Sequence, residues 1–389
     1  MTSQGFIRIC TAFLFFVALI ILIRSVYLTI STFAPDFSVM WTGTRSLLLN
    51  RNPYTDPKLF TGIGYPPDSL LFYIPLTLSP YGIAQGIFVL LSAFSILGII
   101  LLLFKIINGN KRIKWVDILL VFSLVAFSFP TKFTLGMGQN NLLVFLLLLF
   151  LYYLYKTKRE VGSGIILGLS ISFKPIFIFF LLFFLLKKQW KILITSVLTI
   201  IFVILATTAI FGGYLYIYYI KQVIPLLLDF SGREIYYNQG FMGFISRLTT
   251  SLVLRSNINI ALSLSAILSV FWLTYSKIEN RKLDNLQLSL FIIILLLVDT
   301  RSWQHHFVWL VFPFVVIFEE LRRIKLKALY PALVLAYFLV SWNFKNPTKF
   351  MEFPVSLILS NTFYGALLLF VLNSYLIIRS DPKKLRLFG

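Results

Sequence analysis

At 389 residues, 59% of them hydrophobic and only 13% charged, with a mean hydropathy of +0.89, the chain is a membrane protein and not a soluble one. Its formal net charge of +21 sits in short basic clusters between apolar runs, which is the positive-inside pattern and excludes a basic face built for nucleic acid. A membrane β-barrel would alternate apolar and polar residues, so unbroken runs such as 142–151 point to helices, and the single cysteine, Cys10, leaves no intrachain disulfide.

The expected architecture is all-α and polytopic: one bundle over residues 1–389 with about twelve transmembrane or re-entrant helices. A first span over 6–23, without a small-residue cleavage site, reads as a retained helix. A long loop over about 31–79 follows. In it Phe37, Trp41, Thr44 and Leu48 recur at helical spacing, which predicts a helix in the interface plane. Prolines 53, 57, 66, 67 and 75 then interrupt any longer helix. A second span over 81–104 ends at Lys105, Lys111, Arg112 and Lys114. A third begins at Trp115 and is expected to stop at Pro130; the polar run 136–141 opens a fourth that closes on Lys156, Lys158 and Arg159.

Two compact segments, 161–173 and 176–186, hinge at Lys174-Pro175 and read as a re-entrant or kinked pair ending at Lys187, Lys188 and Lys191. A span over 192–211 leads to a second large loop, 212–257, and further spans are expected over 258–275, 286–298, 307–318, 328–342 and 357–378. Most lysines and arginines fall on one side of this pattern, including Arg8, Lys277, Arg281, Lys282, Arg322, Arg323, Lys325, Lys327, Arg379, Lys383, Lys384 and Arg386. That bias puts both termini in the cytoplasm. Asp36, Gln139-Asn140, Lys174, Asn238-Gln239 and the stretch 299–306 then share the opposite face, as an enzyme working at an extracytoplasmic membrane surface requires.

The chain has no Walker loop, dinucleotide fingerprint, Cys/His metal spacing, Gly-x-Ser-x-Gly elbow or Asp-x-Asp pair. No polar stretch is long enough for a nucleotide-binding domain. An activated group used outside the cytoplasm must therefore arrive on a membrane-soluble carrier. With a glycosyl phosphate the leaving group is already good, so one carboxylate suffices to take the acceptor hydroxyl's proton, and direct displacement inverts the anomeric carbon. Asp36, the first acid in the chain, is the candidate base; its alternative reading is an N-cap for the helix beginning at Phe37.

A departing phosphate needs cations or strong donors, and Lys174, Arg247, Arg301, His305, His306, Asn140 and Gln239 are available. Against this, Lys174 also reads as a lysine snorkelling from a helix end, the paired histidines as interfacial, and Asn238-Gln239-Gly240 as a helix-entry turn. Few acids fall on the outer side, which argues against a carboxylate metal cage, and no cofactor is expected.

Taken in order, Asp36-Phe37, Asn52-Pro53-Tyr54, Tyr65-Pro66-Pro67 with Pro75-Leu76, Gly138-Gln139-Asn140, Lys174-Pro175, Asn238-Gln239 with Arg247-Leu248, and Ser302-Trp303-x-His305-His306 resemble glycosyltransferase family 87 over about residues 5–320. That family comprises polyprenyl-phosphate-mannose-dependent α-mannosyltransferases of the GT-C fold. The resemblance implies a GT-C helix bundle with a long extracytoplasmic first loop. It also implies a polyprenyl-phosphate sugar donor, a lipid or glycan acceptor, Asp36 as general base, and His305 or His306 lining the active site. Tyr65, Gln139, Asn140, Lys174, Gln239, Arg247 and Arg301 form the expected substrate-binding set. One departure stands out: Asp299-Thr300-Arg301-Ser302 occupies the place of an expected Ser-Pro pair and leaves the role of Arg301 open. The competing readings are a lipid-linked-sugar flippase or transporter, and a GT-C enzyme using another lipid-linked sugar, such as an arabinosyl or glucosyl lipid.

Overall fold

The computed structural model of the chain describes residues 3–59, 61–109, 113–228, 235–277 and 280–380. Lys111, Arg112, Lys383, Lys384 and Arg386 of the basic clusters, and residues 229–234 of the second loop, lie outside the described residues. Among the described residues there are helices and no strands. A bilayer offers the backbone no hydrogen-bond partners, and a helix satisfies its own.

The chain divides into two compact units, Met1–Phe127 with Thr131–Asp229, and Ser128–Pro130 with Phe230–Gly389. In the first, α1 (Ser3–Ser31) is followed by α2 (Pro35–Leu48), the predicted interfacial helix, and by two short helices, α3 (Pro67–Leu71) and α4 (Ile74–Thr77), among the prolines. Then come α5 (Tyr81–Asn108), α6 (Trp115–Phe127) and α7 (Phe129–Met137). The helix expected to stop at Pro130 instead breaks at Ser128 and resumes, with a 61° bend. Pro130 sits in the first turn of α7, where a missing N–H costs nothing.

Next are α8 (Asn141–Lys156), α9 (Glu160–Phe173), a 3-10 turn (Pro175–Ile178), α10 (Phe179–Leu186) and α11 (Trp190–Phe211). Helix α9 packs closely on α11 through Gly164 and Gly168, four residues apart on one face. A Cβ at Gly164 would lie 2.7 Å from the Ile192 carbonyl oxygen, and one at Gly168 2.7 Å from that of Ser196. Small residues at this spacing let two apolar helices bring their backbones together.

The second large loop is not a loop throughout. Residues 214–228 form α12 (Tyr214–Tyr218), a π-helical segment (Tyr219–Val223) and α13 (Ile224–Leu228). Still within it, α14 (Phe241–Leu248) and the start of α15 (Leu252–Tyr275) belong to the second unit. The Ser251 side chain accepts the Leu254 N–H and so starts α15 ahead of the expected residue 258.

The second unit continues with α16 (Asp284–Val298), α17 (Val311–Arg323), α18 (Tyr330–Ser341) and α19 (Asn361–Arg379). Its core is α16, buried on every side from Leu286 to Leu297 and packed against α15, α17 and α19. Among the described residues, five helices are long and apolar enough to cross a membrane: Gly5–Ser31, Tyr81–Asn108, Trp190–Phe211, Leu252–Tyr275 and Val355–Arg379. Counting the bent α6–α7 pair makes six, where about twelve crossings were expected. Segments such as α8 and α9 are shorter apolar helices of 10–17 residues.

Candidate active site

Asp36 owes its place to a side chain on α5. Gln85 donates to the Thr29 and Thr32 carbonyls (2.6 and 2.8 Å) at the end of α1, and its carbonyl accepts the Ala34 N–H at 3.3 Å. This holds the turn from α1 into α2. Ala34, extended, is the N-cap of α2, and Pro35 takes the first helical position. Asp36 therefore stands inside the first turn and is not the capping residue.

Its partner comes from the end of α7, which closes in a Schellman motif: Gly138 N–H to Leu135 O at 2.9 Å and Gln139 N–H to Thr134 O at 2.9 Å. Gly138 has φ +66°, and a Cβ there would fall 2.6 Å from the Phe37 Cβ. Only glycine meets both conditions. The turn it makes delivers Gln139, whose Nε2 donates to Asp36 Oδ2 at 2.7 Å.

Lys174 follows from the sequence in the same direct way. The residue before a proline is driven out of the helical region, so α9 stops, and Lys174 is extended at φ −144°, ψ 98°. Its side chain is only 3% exposed and donates to Asn141 Oδ1 (2.6 Å), Asn140 Oδ1 (3.2 Å) and Tyr65 Oη (3.4 Å). A buried ammonium needs such acceptors. Asn140, the N-cap of α8, gives no side-chain bond to that helix. Tyr73, 2% exposed, also hydrogen-bonds to Asn140. Ser69 Oγ on α3 donates to the Ser172 carbonyl at 2.7 Å, tying the proline-rich loop down two residues before Lys174.

Asp36, Gln139, Tyr65 and Tyr73 meet at an open pocket, lined also by Val39 and Met40 of α2, by 61–64 and by Gly138. Burial pushes the Asp36 carboxyl above its ordinary value; the Gln139 hydrogen bond and the Lys174 charge act in the opposite sense. The site can therefore hold one carboxylate, raised in basicity, in the field of one buried cation.

Within this unit the structure brings together Asp36, Gln139, Asn140, Lys174 and Tyr65, all expected from the sequence. Asn141 and Tyr73 were missed. For Asn141 a signal was present: a second asparagine opening a leucine-rich helix needs a polar partner, and Lys174 is a cation within apolar sequence.

In the second unit, Gln239, Arg247, Arg301, His305 and His306 gather around two short crossing segments. Gln239 N–H bonds to Ser302 O (2.7 Å) and Gln304 N–H to Tyr237 O (2.8 Å), the ladder of an antiparallel bridge between Asn238 and Trp303. Asn238 Nδ2 donates to Thr300 O at 3.0 Å. The Gln239 side chain donates to Tyr236 O (2.6 Å) and Leu359 O (2.8 Å) and accepts from Phe363 N–H (3.2 Å). Arg247 donates to the carbonyls of Ile235, Tyr236 and Asn238 (3.3, 2.9 and 2.8 Å) and to Ser360 Oγ (3.0 Å). Burial pulls its guanidinium down to about 10, so it remains charged at neutral pH.

His306 Nδ1 lies 3.8 Å from Asp299 Oδ2, and the Arg301 N–H holds the other carboxylate oxygen at 3.1 Å. The His305 ring meets His306 edge-on at 4.6 Å, and Trp309 stacks on His306 at 5.6 Å.

The family model described as Glycosyltransferase family 87 matches residues 63–313. The match includes every residue of the expected binding set and both histidines, and begins after Asp36. No curated protein and no solved structure matches the chain.

Proposed function

The chain belongs to glycosyltransferase family 87, and we propose that it is an inverting transferase moving mannose from a polyprenyl phosphate to a lipid or glycan hydroxyl. The observation that carries this reading is a carboxylate lining a pocket in the field of a buried ammonium: Asp36 on Gln139, and Lys174 on Asn140, Asn141 and the pocket residue Tyr65. The acceptor oxygen attacks the anomeric carbon, and the bond from that carbon to the phosphate oxygen breaks. Polyprenyl phosphate leaves with the bonding electrons, and Asp36 takes the acceptor's proton. Burial suits Asp36 to this, because it raises the carboxyl's pKa and a carboxylate with a raised pKa is a stronger base.

Lys174 and Tyr65 bind the phosphate and stabilise the charge that grows on it. The apolar walls, Val39, Met40 and Ile63, take the carrier lipid or the apolar part of the acceptor. His305 and His306 are assigned to substrate binding on the strength of the Trp303-x-His305-His306 resemblance. In the second unit, Gln239 and Arg247 spend their donors on main-chain carbonyls, and we assign them to holding that fold rather than to substrate. The basic clusters support an extracytoplasmic site with cytoplasmic termini.

The test is to incubate the purified protein with polyprenyl-phosphate mannose and membrane lipid extract and to identify products by mass spectrometry. A new hexosylated species formed by wild type, and not by Asp36→Asn, supports the reading. Equal product from both removes Asp36 as the base.

A further inference from the structure

Two stretches are left unexplained by the chemistry above: Asn52-Pro53-Tyr54, and the tyrosines at 214, 216, 218 and 219. The structure joins them within the first unit. The Asn52 side chain accepts the Tyr54 N–H at 3.0 Å, a local turn that aims the Tyr54 ring inward. There it stacks on Tyr218 (5.9 Å between centroids, 15° between planes) and meets Tyr219 at 5.8 Å. The hydroxyls of two of these rings reach the main chain of the pocket loop at adjacent residues. Tyr54 Oη donates to the Tyr65 carbonyl at 2.9 Å, and Tyr219 Oη to the Gly64 carbonyl at 3.2 Å.

Gly64 and Tyr65 both line the pocket, and the Tyr65 hydroxyl is a partner of Lys174. Tyr219 is the first residue of the π-helical segment, a wider turn that recurs at functional sites because it re-aims side chains. One turn earlier, Tyr216 Oη lies 3.4 Å from Asp68 Oδ1, and Asp68, 4% exposed at the start of α3, anchors the other end of the same loop.

We propose that Tyr54 and Tyr219 are positioning residues of the pocket: their hydroxyls fix the Gly64 and Tyr65 carbonyls and so hold the Tyr65 phenol against Lys174, where it meets the donor phosphate. The role in donor binding rests on the transferase reading above; the clamp itself does not. Four residues in the neighbourhood of Tyr65, namely Gly62, Ile63, Gly64 and Pro66, leave the loop without a regular element of its own, so two side-chain bonds to consecutive carbonyls are what set its course.

Phenylalanine is the discriminating substitution, since it keeps each ring contact and deletes only the hydroxyl. In full-length protein in detergent, Tyr54→Phe with Tyr219→Phe speeds amide exchange across residues 61–65 by about fivefold or more, the scale of a lost hydrogen bond. Unchanged exchange there overturns the clamp. In transfer assays with polyprenyl-phosphate mannose, each single change raises KM for the donor about fivefold and leaves kcat near wild type. Placed in a Tyr65→Phe background, the same changes add nothing further, because they act through that phenol. Fully additive effects would be those of general destabilisation and overturn the positioning role. Failure of wild type to use this donor sinks the transferase reading alone, and the exchange measurement still decides the clamp.

Discussion

The two units each bury a cluster of polar side chains in apolar surroundings, and they use them differently. In the first, the contacts run from side chain to side chain, Gln139 to Asp36 and Lys174 to Asn140, Asn141 and Tyr65, and Asp36, Gln139 and Tyr65 line a pocket. In the second, Gln239 and Arg247 reach five main-chain carbonyl contacts between them, with no carboxylate among the partners given above. A side chain that satisfies backbone groups holds a fold in place, because an unbonded buried carbonyl is expensive. A side chain poised on another ionisable side chain adjusts chemistry. Burial alone does not separate the two, since Lys174 and Arg247 are 3% and 6% exposed; the identity of the partners does.

That contrast can be broken by substitution. The largest effect is expected from Asp36→Asn, which keeps the Gln139 contact geometry but removes the proposed base. Transfer should fall by about 100- to 10,000-fold while the thermal midpoint stays near wild type. Lys174→Met comes next, with kcat/KM lower by about 100-fold in steady-state assays. The loss of its positive field also raises the pH below which activity disappears.

Arg247→Met reverses the pattern. It removes the Arg247 bonds to three carbonyls and the Ser360 hydroxyl, of which the Tyr236 carbonyl keeps Gln239 as a donor, so stability should fall by about 3 kcal/mol, read as a lower midpoint in detergent. The protein that remains folded should turn over within about threefold of wild type. The smallest effect belongs to Gln139→Ala. Its hydrogen bond lowers the Asp36 pKa, and a base works only while ionised. Removing the bond therefore moves the acid limb of the rate profile to higher pH, with the rate on the plateau above that limb within about twofold of wild type.

The features legible in the sequence were those with local causes. Helix α2 follows from the spacing of Phe37, Trp41, Thr44 and Leu48, and the break at Lys174 from the proline after it. Helix α7 was not foreseen, because Pro130 read as a stop, although the glycine before Gln139 marks its end. What was not legible depended on main chain or on distance. The carbonyl partners of Arg247 and Gln239 have no residue identity to read, so both looked like substrate ligands. Tyr73 reaches Asn140 across more than sixty positions, a pairing that no periodicity announces. The stretch 212–257 read as loop because tyrosine, asparagine and glutamine dilute its apolar pattern. Two short helical stretches and the head of α15 form there, the amphipathic α14 among them.

The central claim, that Asp36 is the base, is tested most directly by the pH dependence of kcat/KM for wild type and Asp36→Asn measured side by side with polyprenyl-phosphate mannose. Wild type should lose activity as the pH falls through a single acid limb placed above the ordinary carboxylate value, and the residual rate of Asp36→Asn should show no such limb. The same acid limb in both proteins would mean that some other group carries the proton.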